Sequence, residues 1–187
     1  MIYFNNALTS LRGLNNLSSI AGVAIMENNV LTSLTGLDNL TSIVGDLSID
    51  SNDALTSLSG LINLTSISGS VSISYNNVLT SLSGLDNLPF IGGLCVAGNA
   101  ALTSLTGLEN LTFVGGWLDI ETNTALTSLT GLNALTSISL GVYISNYNLT
   151  TIAGLENLNS IGQDMIVEWN QNLIEIRGLK NLSSIGG

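Results

Sequence analysis

The chain repeats one motif eight times at a nearly constant period. The segment "LTSLTGLDNLTSI" from Leu31 returns almost unchanged as "LTSLSGLINLTSI" from Leu55 and "LTSLTGLENLTFV" from Leu102. The first leucines of the copies are 23 or 24 residues apart, at Leu8, Leu31, Leu55, Leu79, Leu102, Leu126, Leu149 and Leu173. A period in this range is typical of a solenoid, whose coils bury their apolar faces against neighbouring coils. We therefore expect residues 1–187 to form one solenoid domain of about eight coils.

A short alternating segment of the type L-x-I follows the motif in each coil. Alternation of apolar and polar residues predicts a β-strand, and stacked coils would join such strands into one parallel sheet. The repeated glycine and the many β-branched residues disfavour a helix. The sequence therefore predicts an all-β, parallel β-solenoid, with strands at Leu47-Ser48-Ile49, Val71-Ser72-Ile73, Leu94-Cys95-Val96, Leu118-Asp119-Ile120, Val142-Tyr143-Ile144 and Met165-Ile166-Val167.

Two further residue types recur once per coil. Glycines follow the motif leucines, and we expect them at tight corners that a side chain or a negative φ would not fit. Asparagines follow the strands, and we expect them to bond the backbone at a turn and one another along the stack. The glycines are Gly13, Gly36, Gly60, Gly84, Gly107, Gly131, Gly154 and Gly178, and the asparagines are Asn28, Asn52, Asn76, Asn99, Asn123 and Asn170.

Composition excludes several classes of function. Thirteen acidic residues face only Arg12, Arg177 and Lys180, and a net charge of −10 argues against nucleic acid or an anionic membrane surface as partner. There is no histidine, and Cys95 is the only cysteine, so Ser-His and Cys-His nucleophile pairs and histidine or multi-cysteine metal sites are excluded. The most apolar stretch, from Leu88, is broken by Pro89 and by glycines, which argues against membrane insertion. We expect no cofactor and no metal.

The repeat wording resembles a known family. L-x-I-x-x-N followed by L-T-S-L-x-G-L-x-N-L-T-S-I-x-G is similar to the receptor L-domain type of leucine-rich repeat, and the resemblance covers the whole chain. It is closest to the versions in repetitive bacterial cell-surface proteins. The resemblance implies a right-handed β-helix-like solenoid that is presented outside the cell.

The positions around the strands differ from copy to copy, so the fold leaves them available for binding. They hold aromatic and acidic residues, among them Tyr3, Phe4, Asp46 and Asp50. On one face such residues would stack on sugar rings or bind a protein with cationic and apolar features. The alternative is that these positions drift and that the acids only keep the rod in solution. The predicted ligand-binding residues are Tyr75, Trp117, Asp119, Glu121, Tyr143, Asp164, Glu168 and Trp169.

Two other functions are open to this sequence. Threonines occupy one place in successive coils, and a regular row of hydroxyls and methyls on a rigid solenoid is able to match an ice lattice. The other interpretation of this row is that Thr and Ser satisfy the backbone at a corner. Asp119 and Glu121 share one strand face, but acid-base catalysis needs one carboxyl shifted and buried, so we predict no enzyme. The candidate ice-binding residues are Thr32, Thr56, Thr80, Thr103 and Thr127.

These observations predict a non-enzymatic, extracellular or cell-surface module for recognition or scaffolding, of the adhesion type, with a protein or glycan partner. Neither terminus resembles a capping repeat, because Met1-Ile2-Tyr3 is in phase with Ser48-Ile49-Asp50. Open solenoid ends expose core residues and strand edges. We therefore expect contacts at the ends, either with flanking coils or with other copies that stack head to tail into a filament.

Overall fold

The molecule is a parallel β-solenoid of about eight coils, as the repeat predicts. The computed structural model describes residues 1–186. Each coil contributes one strand to a large sheet, in which neighbouring strands along the stack come from consecutive coils. With strands numbered in chain order, this sheet contains β1 (Ile2–Tyr3), β3 (Val23–Met26), β5 (Leu47–Asp50), β7 (Ser70–Ser74), β9 (Gly93–Ala97), β11 (Leu118–Glu121), β13 (Val142–Ser145) and β15 (Met165–Val167).

The "SI" end of the motif forms a second, two-residue strand in each coil, just before the strand of the large sheet. These short strands form two narrower sheets. One contains β2 (Ser19–Ile20), β4 (Ser42–Ile43) and β6 (Ser66–Ile67), and the other contains β8 (Phe90–Ile91), β10 (Phe113–Val114), β12 (Ser137–Ile138), β14 (Ser160–Ile161) and β16 (Ser184–Ile185). The helical content within residues 1–186 is two 3-10 turns, at Ser59–Leu61 and Arg177–Leu179. No helix in this range has the length and apolar character needed to cross a membrane.

The motif leucines and strand residues fill the interior. In the coil that begins at Leu31, every apolar position of the motif is at most 1% exposed, through to Ile49. The same positions are buried in each coil up to Ile161, whereas Leu8 and Leu173 in the first and last coils are only partly buried. Each coil therefore completes its core with the coils on both sides, as expected for a solenoid.

A row of buried asparagines connects the coils, as predicted. Asn76 is typical, because its Nδ2 donates to the carbonyls of Ile49 and Ser74 and its backbone N–H donates to Oδ1 of Asn99. The row also includes Asn5 and Asn146, which comparison of the copies had missed. Asn146 does not align with the other asparagines, because the segment from the L-x-I strand to the asparagine is one residue shorter in its coil.

The residue before the row asparagine adopts a left-handed backbone in most coils. Its φ lies between 53° and 59° at Phe4, Glu27, Ser51, Tyr75, Thr122 and Trp169, and is 67° at Gly98. Six of the eight corner glycines also have a positive φ, in agreement with the prediction. At Gly60 and Gly178 the expected positive φ was wrong, because both lie in the 3-10 turns, but the expectation that a side chain would not fit is confirmed. Glycine is needed there because a Cβ would collide with the carbonyl of the preceding coil.

Candidate functional site

Seven of the eight predicted ligand-binding residues belong to three consecutive coils, where they lie on or directly beside β11, β13 and β15. Asp119 on β11 is in register with Cys95 on β9 and with Tyr143 on β13, and adjacent strands are ~4.8 Å apart. The prediction that Asp119 and Glu121 share a strand face is confirmed, since both alternate with buried residues of β11. We call the following set the acidic-aromatic patch: Trp117, Asp119, Glu121, Tyr143, Asp164, Glu168 and Trp169.

Tyr75 lies outside the patch. It follows β7, two strands away from β11 in the sheet order, and occupies the left-handed turn position. Its ring lies over Gly98 of the next coil, where an added Cβ would come within 2.6 Å of the ring carbons. Tyr75 therefore contributes an exposed ring outside the three coils that hold the patch.

Trp117 is held in place by a glycine of the next coil. A Cβ on Gly141 would collide with the six-membered ring of the indole, so the ring lies directly over that glycine. The Trp117 side chain remains 39% exposed. One ring edge is thus fixed on the backbone, and the remaining surface is available for contact with a ligand.

At the two positions before the long strand, the coil of β11 has a glycine and then a large residue, Gly116 and Trp117. The next coil has the large residue first and then the glycine, Leu140 and Gly141. Leu140 donates its backbone N–H to the Gly116 carbonyl, so the two residues are neighbours across the stack. The large and small residues therefore alternate between coils, and each large side chain has a glycine beside it. This alternation builds an apolar wall at the start of β11 and β13.

A groove of about 340 Å³ opens beside this wall. It runs over β9, because Gly93 carries no side chain and Cys95 is small. Trp117, Asp119 and Leu140 line one side, and β7 contributes the other side. Residues at the β7 side are Ser70 and Ser72. The groove therefore combines hydroxyls, an apolar wall and one carboxylate.

Asp119 is the chemically unusual residue of the groove. Its Oδ1 is buried and has no hydrogen-bond partner in the described part of the chain. Burial, together with the charge of Glu121, raises the pKa of Asp119 to about 6. A buried oxygen without a hydrogen-bond partner costs free energy.

Cys95 lies beside Asp119 and is a free, half-buried thiol. Burial and the neighbouring charge of Asp119 raise its pKa, although hydrogen bonds with Ser74 and Ser72 partly oppose the shift. A raised pKa keeps the side chain a thiol at neutral pH, which is the less nucleophilic form. Within residues 1–186, no group of three or more His, Cys, Asp or Glu side chains is arranged to hold a metal ion.

Tyr143 links β13 to the next coil. Its hydroxyl donates to Oε1 of Glu168 at 3.0 Å. A hydrogen bond with Ser145 lowers the pKa of Tyr143, but the bond to Glu168, burial and the charges of Glu168 and Glu121 together raise it. Trp169, at the following turn position, is 71% exposed. The carboxyl-terminal end of the patch is therefore an exposed aromatic surface beside an occupied carboxylate.

The other acids divide into those with a structural partner and those without. Four of them accept the backbone N–H of the glycine two residues earlier, namely Asp38, Asp86, Glu109 and Glu156. Others bond a neighbouring side chain or backbone group, as Asp50 does with Ser51. In residues 1–186 the side chains without such a partner are Glu27, Asp119, Glu121 and Asp164, and the last three belong to the patch.

The candidate ice-binding threonines are exposed in successive coils, as predicted, but their hydroxyls also serve the backbone. Thr56 donates to the carbonyl of Thr32 and Thr103 donates to that of Thr80, each in the preceding coil. Thr150 repeats this contact with Thr127. These bonds match the alternative interpretation, in which the row satisfies backbone groups at a corner.

Sequence reasoning missed the groove residues on β7 and β9. Ser72 and Cys95 look like ordinary variation in the middle of the strand. Leu140 could have been identified from the sequence, because it replaces the glycine that several other coils have at the aligned position, including Gly45, Gly69 and Gly116. The pairing of Leu140 with the glycine at 141 marks a local departure from the repeat.

Comparison with known proteins gives no further identification. No protein-family model, no curated protein and no solved structure matches this chain.

Proposed function

We propose that the chain is a non-enzymatic module for recognition or scaffolding, and that the acidic-aromatic patch is its binding surface. One observation carries this proposal: two carboxylates without a structural partner within residues 1–186, Asp119 and Glu121, lie on one face of β11, and the partly exposed ring of Trp117 directly precedes that strand. Most of the other acidic side chains accept a hydrogen bond or form an ion pair within the chain. Desolvated or unpaired polar groups beside aromatic anchors are typical of binding surfaces.

The proposed setting is the cell surface or the extracellular space, with a protein or glycan as partner. The resemblance to receptor L-domain repeats supports this setting. The repeated buried core supports a scaffolding role, since it makes the solenoid stiff along its length. A non-enzymatic role is supported by the protonated state of the Cys95 thiol and by the distance in sequence between the pair Asp119 and Glu121 and any basic residue.

Replacement of the exposed aromatic residues tests the proposal. The variant Trp117→Ala/Tyr143→Ala/Trp169→Ala should lose most of the binding that the parent chain shows on an array of glycans and cell-surface proteins. The control Tyr3→Ala/Phe4→Ala/Tyr75→Ala removes the same number of exposed rings from the other half of the solenoid, and it should bind as the parent does. Equal binding by parent and first variant would show that the patch is not the binding surface.

We also propose coil-to-coil contacts at the two ends of the described stack, with flanking coils or with another copy of the chain. The asparagine row supports this proposal, because each asparagine donates its backbone N–H to Oδ1 of the asparagine in the next coil, so the described row ends with an unused donor on one side and an unused acceptor on the other. Within residues 1–186, the backbone N–H of Asn170 has no acceptor at one end of the row, and Oδ1 of Asn5 accepts no bond at the other. Light scattering and electron microscopy test it: a monodisperse monomer at high concentration, with no elongated species, would contradict it.

Ice binding is a second candidate, supported by the exposed, in-register row of Thr32, Thr56, Thr80, Thr103 and Thr127. The parent chain should then shape ice crystals or lower the freezing point, and Thr80→Tyr in the middle of the row should abolish the effect. Ordinary ice growth in the presence of the parent chain would remove this candidate.

A further inference from the structure

We propose that the groove over β9 binds the ammonium group of a lysine side chain presented by a protein partner, with Asp119 as the charged contact. This inference rests on the proposed recognition function and names the chemistry that the patch selects. It also extends the site to residues on β7 and β9 that the repeat pattern did not single out.

The buried oxygen of Asp119 provides the first argument. Asp119 lines the groove, and no hydrogen-bond donor of residues 1–186 reaches its carboxylate, whose Oδ1 is buried. The neighbouring side chains do not supply a positive charge, because the three basic residues, Arg12, Arg177 and Lys180, belong to the first and last repeats of the motif. Glu121 adds a second negative charge on the same strand. A ligand that donates hydrogen bonds and carries a positive charge satisfies both requirements, and charge-assisted bonds are stronger than neutral ones.

The shape of the groove provides the second argument. A lysine side chain is a compact charge on an apolar four-carbon stem. The Trp117 ring and Leu140 form an apolar wall along which that stem would lie. The hydroxyl of Ser72 lies on the opposite side, where it would accept a second ammonium hydrogen. A volume of about 340 Å³ suits one side chain rather than a folded segment.

The charge balance of the chain provides the third argument. Over the whole sequence, 13 acids stand against 3 basic residues, and the patch holds three carboxylates without a partner. An uncharged sugar would satisfy the hydrogen-bonding capacity of Asp119 but would leave this charge without a counter-ion. The observations therefore favour a cation over a glycan at this groove. A protein partner that presents the lysine would also extend beyond the groove, toward the half-buried ring of Tyr143 and the exposed ring of Trp169.

Nuclear magnetic resonance titration of the full chain tests the inference. The probe is a short peptide, acetyl-Gly-Lys-Gly-amide, and its uncharged counterpart carries Nε-acetyl-lysine. The lysine peptide should shift the Trp117 indole and Asp119 signals, and the acetylated peptide should not. Butylammonium and spermidine, run in parallel, report whether free amines bind at least as well as the peptide. Tighter binding of a free amine than of the peptide would overturn the assignment to a protein partner.

Variants separate charge from fold. Asp119→Asn keeps the side-chain shape and should weaken the lysine peptide by about tenfold or more, the ratio expected for loss of a charge-assisted bond. Asp53→Asn removes the same charge at an exposed turn outside the groove and should leave binding unchanged. Gly141→Ala places a Cβ against the Trp117 ring and should also weaken binding. Equal loss in Asp119→Asn and Asp53→Asn would overturn the site in favour of general charge attraction.

The pH dependence gives an independent readout. The titratable groups that face Asp119 are Cys95 on β9, Tyr143 on β13 and Glu121 on its own strand. Protonation of Asp119 removes the contact, so the lysine peptide should bind more weakly at pH 5 than at pH 7. The Asp119→Asn variant should lose most of that pH dependence. A parent chain that binds the peptide equally at both pH values would contradict the proposal.

The proposed function and this inference fail in different ways. If the triple aromatic variant loses its array partner while Asp119→Asn keeps it, the recognition surface stands and the lysine site is wrong. If Asp119→Asn loses the lysine peptide while the triple variant keeps every array partner, the lysine groove stands and the wider patch is wrong.

Discussion

The two halves of the solenoid have the same interior and different exteriors. Around β5 and β7 the outward side chains are small or already bonded, as with Ser48, Ser72 and Asp50, whose carboxylate accepts from Ser51. Around β11 the outward positions hold Trp117 and a carboxylate without a partner at Asp119. Burial of the motif leucines does not differ between the halves.

The comparison teaches that folding and binding use separate positions of the same repeat. Inward residues form continuous rows that each coil must continue, since a gap would leave a cavity beside both neighbours. Outward residues meet only their neighbours on the sheet face, so they vary without cost to the core. Copy-to-copy variation in a solenoid therefore indicates where a site is possible, and the bonding state of the varying residues indicates where one is present.

The largest expected effect tests the claim that the interiors are equivalent. Leu58→Ala and Leu129→Ala each remove a fully buried motif leucine, one from each half. Each should lower the free energy of unfolding by about 2–5 kcal/mol, the range for a cavity left by this substitution. Urea unfolding followed by circular dichroism measures both. A several-fold difference between the two variants would show that the interiors are not equivalent.

A smaller effect should appear only in the half that carries the patch. The pKa of Asp119 is raised from 3.8 to about 6, so the folded state holds its proton more tightly than the unfolded chain does. The stability from this group is therefore present at low pH and is lost as the pH rises through about 6. Because the side chain is partly exposed, solvent screening reduces the loss to about 1 kcal/mol.

The difference between the parent chain and Asp119→Asn isolates this contribution. The variant should be more stable than the parent at pH 7 by about 1 kcal/mol, and the gap should close near pH 4. Thermal unfolding across this pH range measures it. Ser48→Asn, in the same sheet row of the other half, introduces the same side chain where no carboxylate is replaced, and it should give a pH-independent change. A gap that stays constant with pH would contradict the assignment.

The smallest expected effect concerns the left-handed turn residues. Thr122 has a φ of 53°, which is unfavourable for a β-branched side chain, so Thr122→Gly should stabilise the fold by up to about 1 kcal/mol. Ser51 has the same φ, but its hydroxyl bonds the Asp50 carboxylate, so Ser51→Gly should change stability by less.

Ser145→Gly is the control for the turn variants, because its coil has no left-handed residue at this point and the substitution removes a strand side chain. It should destabilise the fold, since glycine loses more conformational entropy on folding and the substitution removes a buried side chain. Chemical unfolding curves of the three variants measure the order. Destabilisation by Thr122→Gly would show that the threonine side chain contributes more than its backbone strain costs.

Much of the fold was predictable because it depends on positions within one coil. Alternation at Leu47, Ser48 and Ile49 determines which side chains face inward, and the period determines which coil comes next. Asn146 was missed because a one-residue deletion moves it out of alignment, although its hydrogen bonds match those of the other row asparagines. Gly60 shows the same limit, since its role is to admit the carbonyl of Leu34 and not to adopt a left-handed φ.

The candidate site was only partly predictable because it depends on contacts between coils. The alternation of residue types identified Trp117 and Asp119 as variable and outward. It did not show that Trp117 lies on Gly141, or that Oδ1 of Asp119 is buried without a donor. Both observations depend on which side chains of neighbouring coils are in contact. The second also depends on the lack of a hydrogen-bond donor near the carboxylate among residues 1–186.

The seating of Trp117 on Gly141 has a consequence for how repeat arrays change by duplication. The indole belongs to one coil and its glycine to the next, and the hydroxyl of Tyr143 likewise reaches Glu168 in the following coil. Copying a single coil would therefore place Trp117 beside a second tryptophan in place of its glycine. The inheritable unit of this surface is a run of adjacent coils, so a recombination event must carry at least two of them to transplant the surface intact.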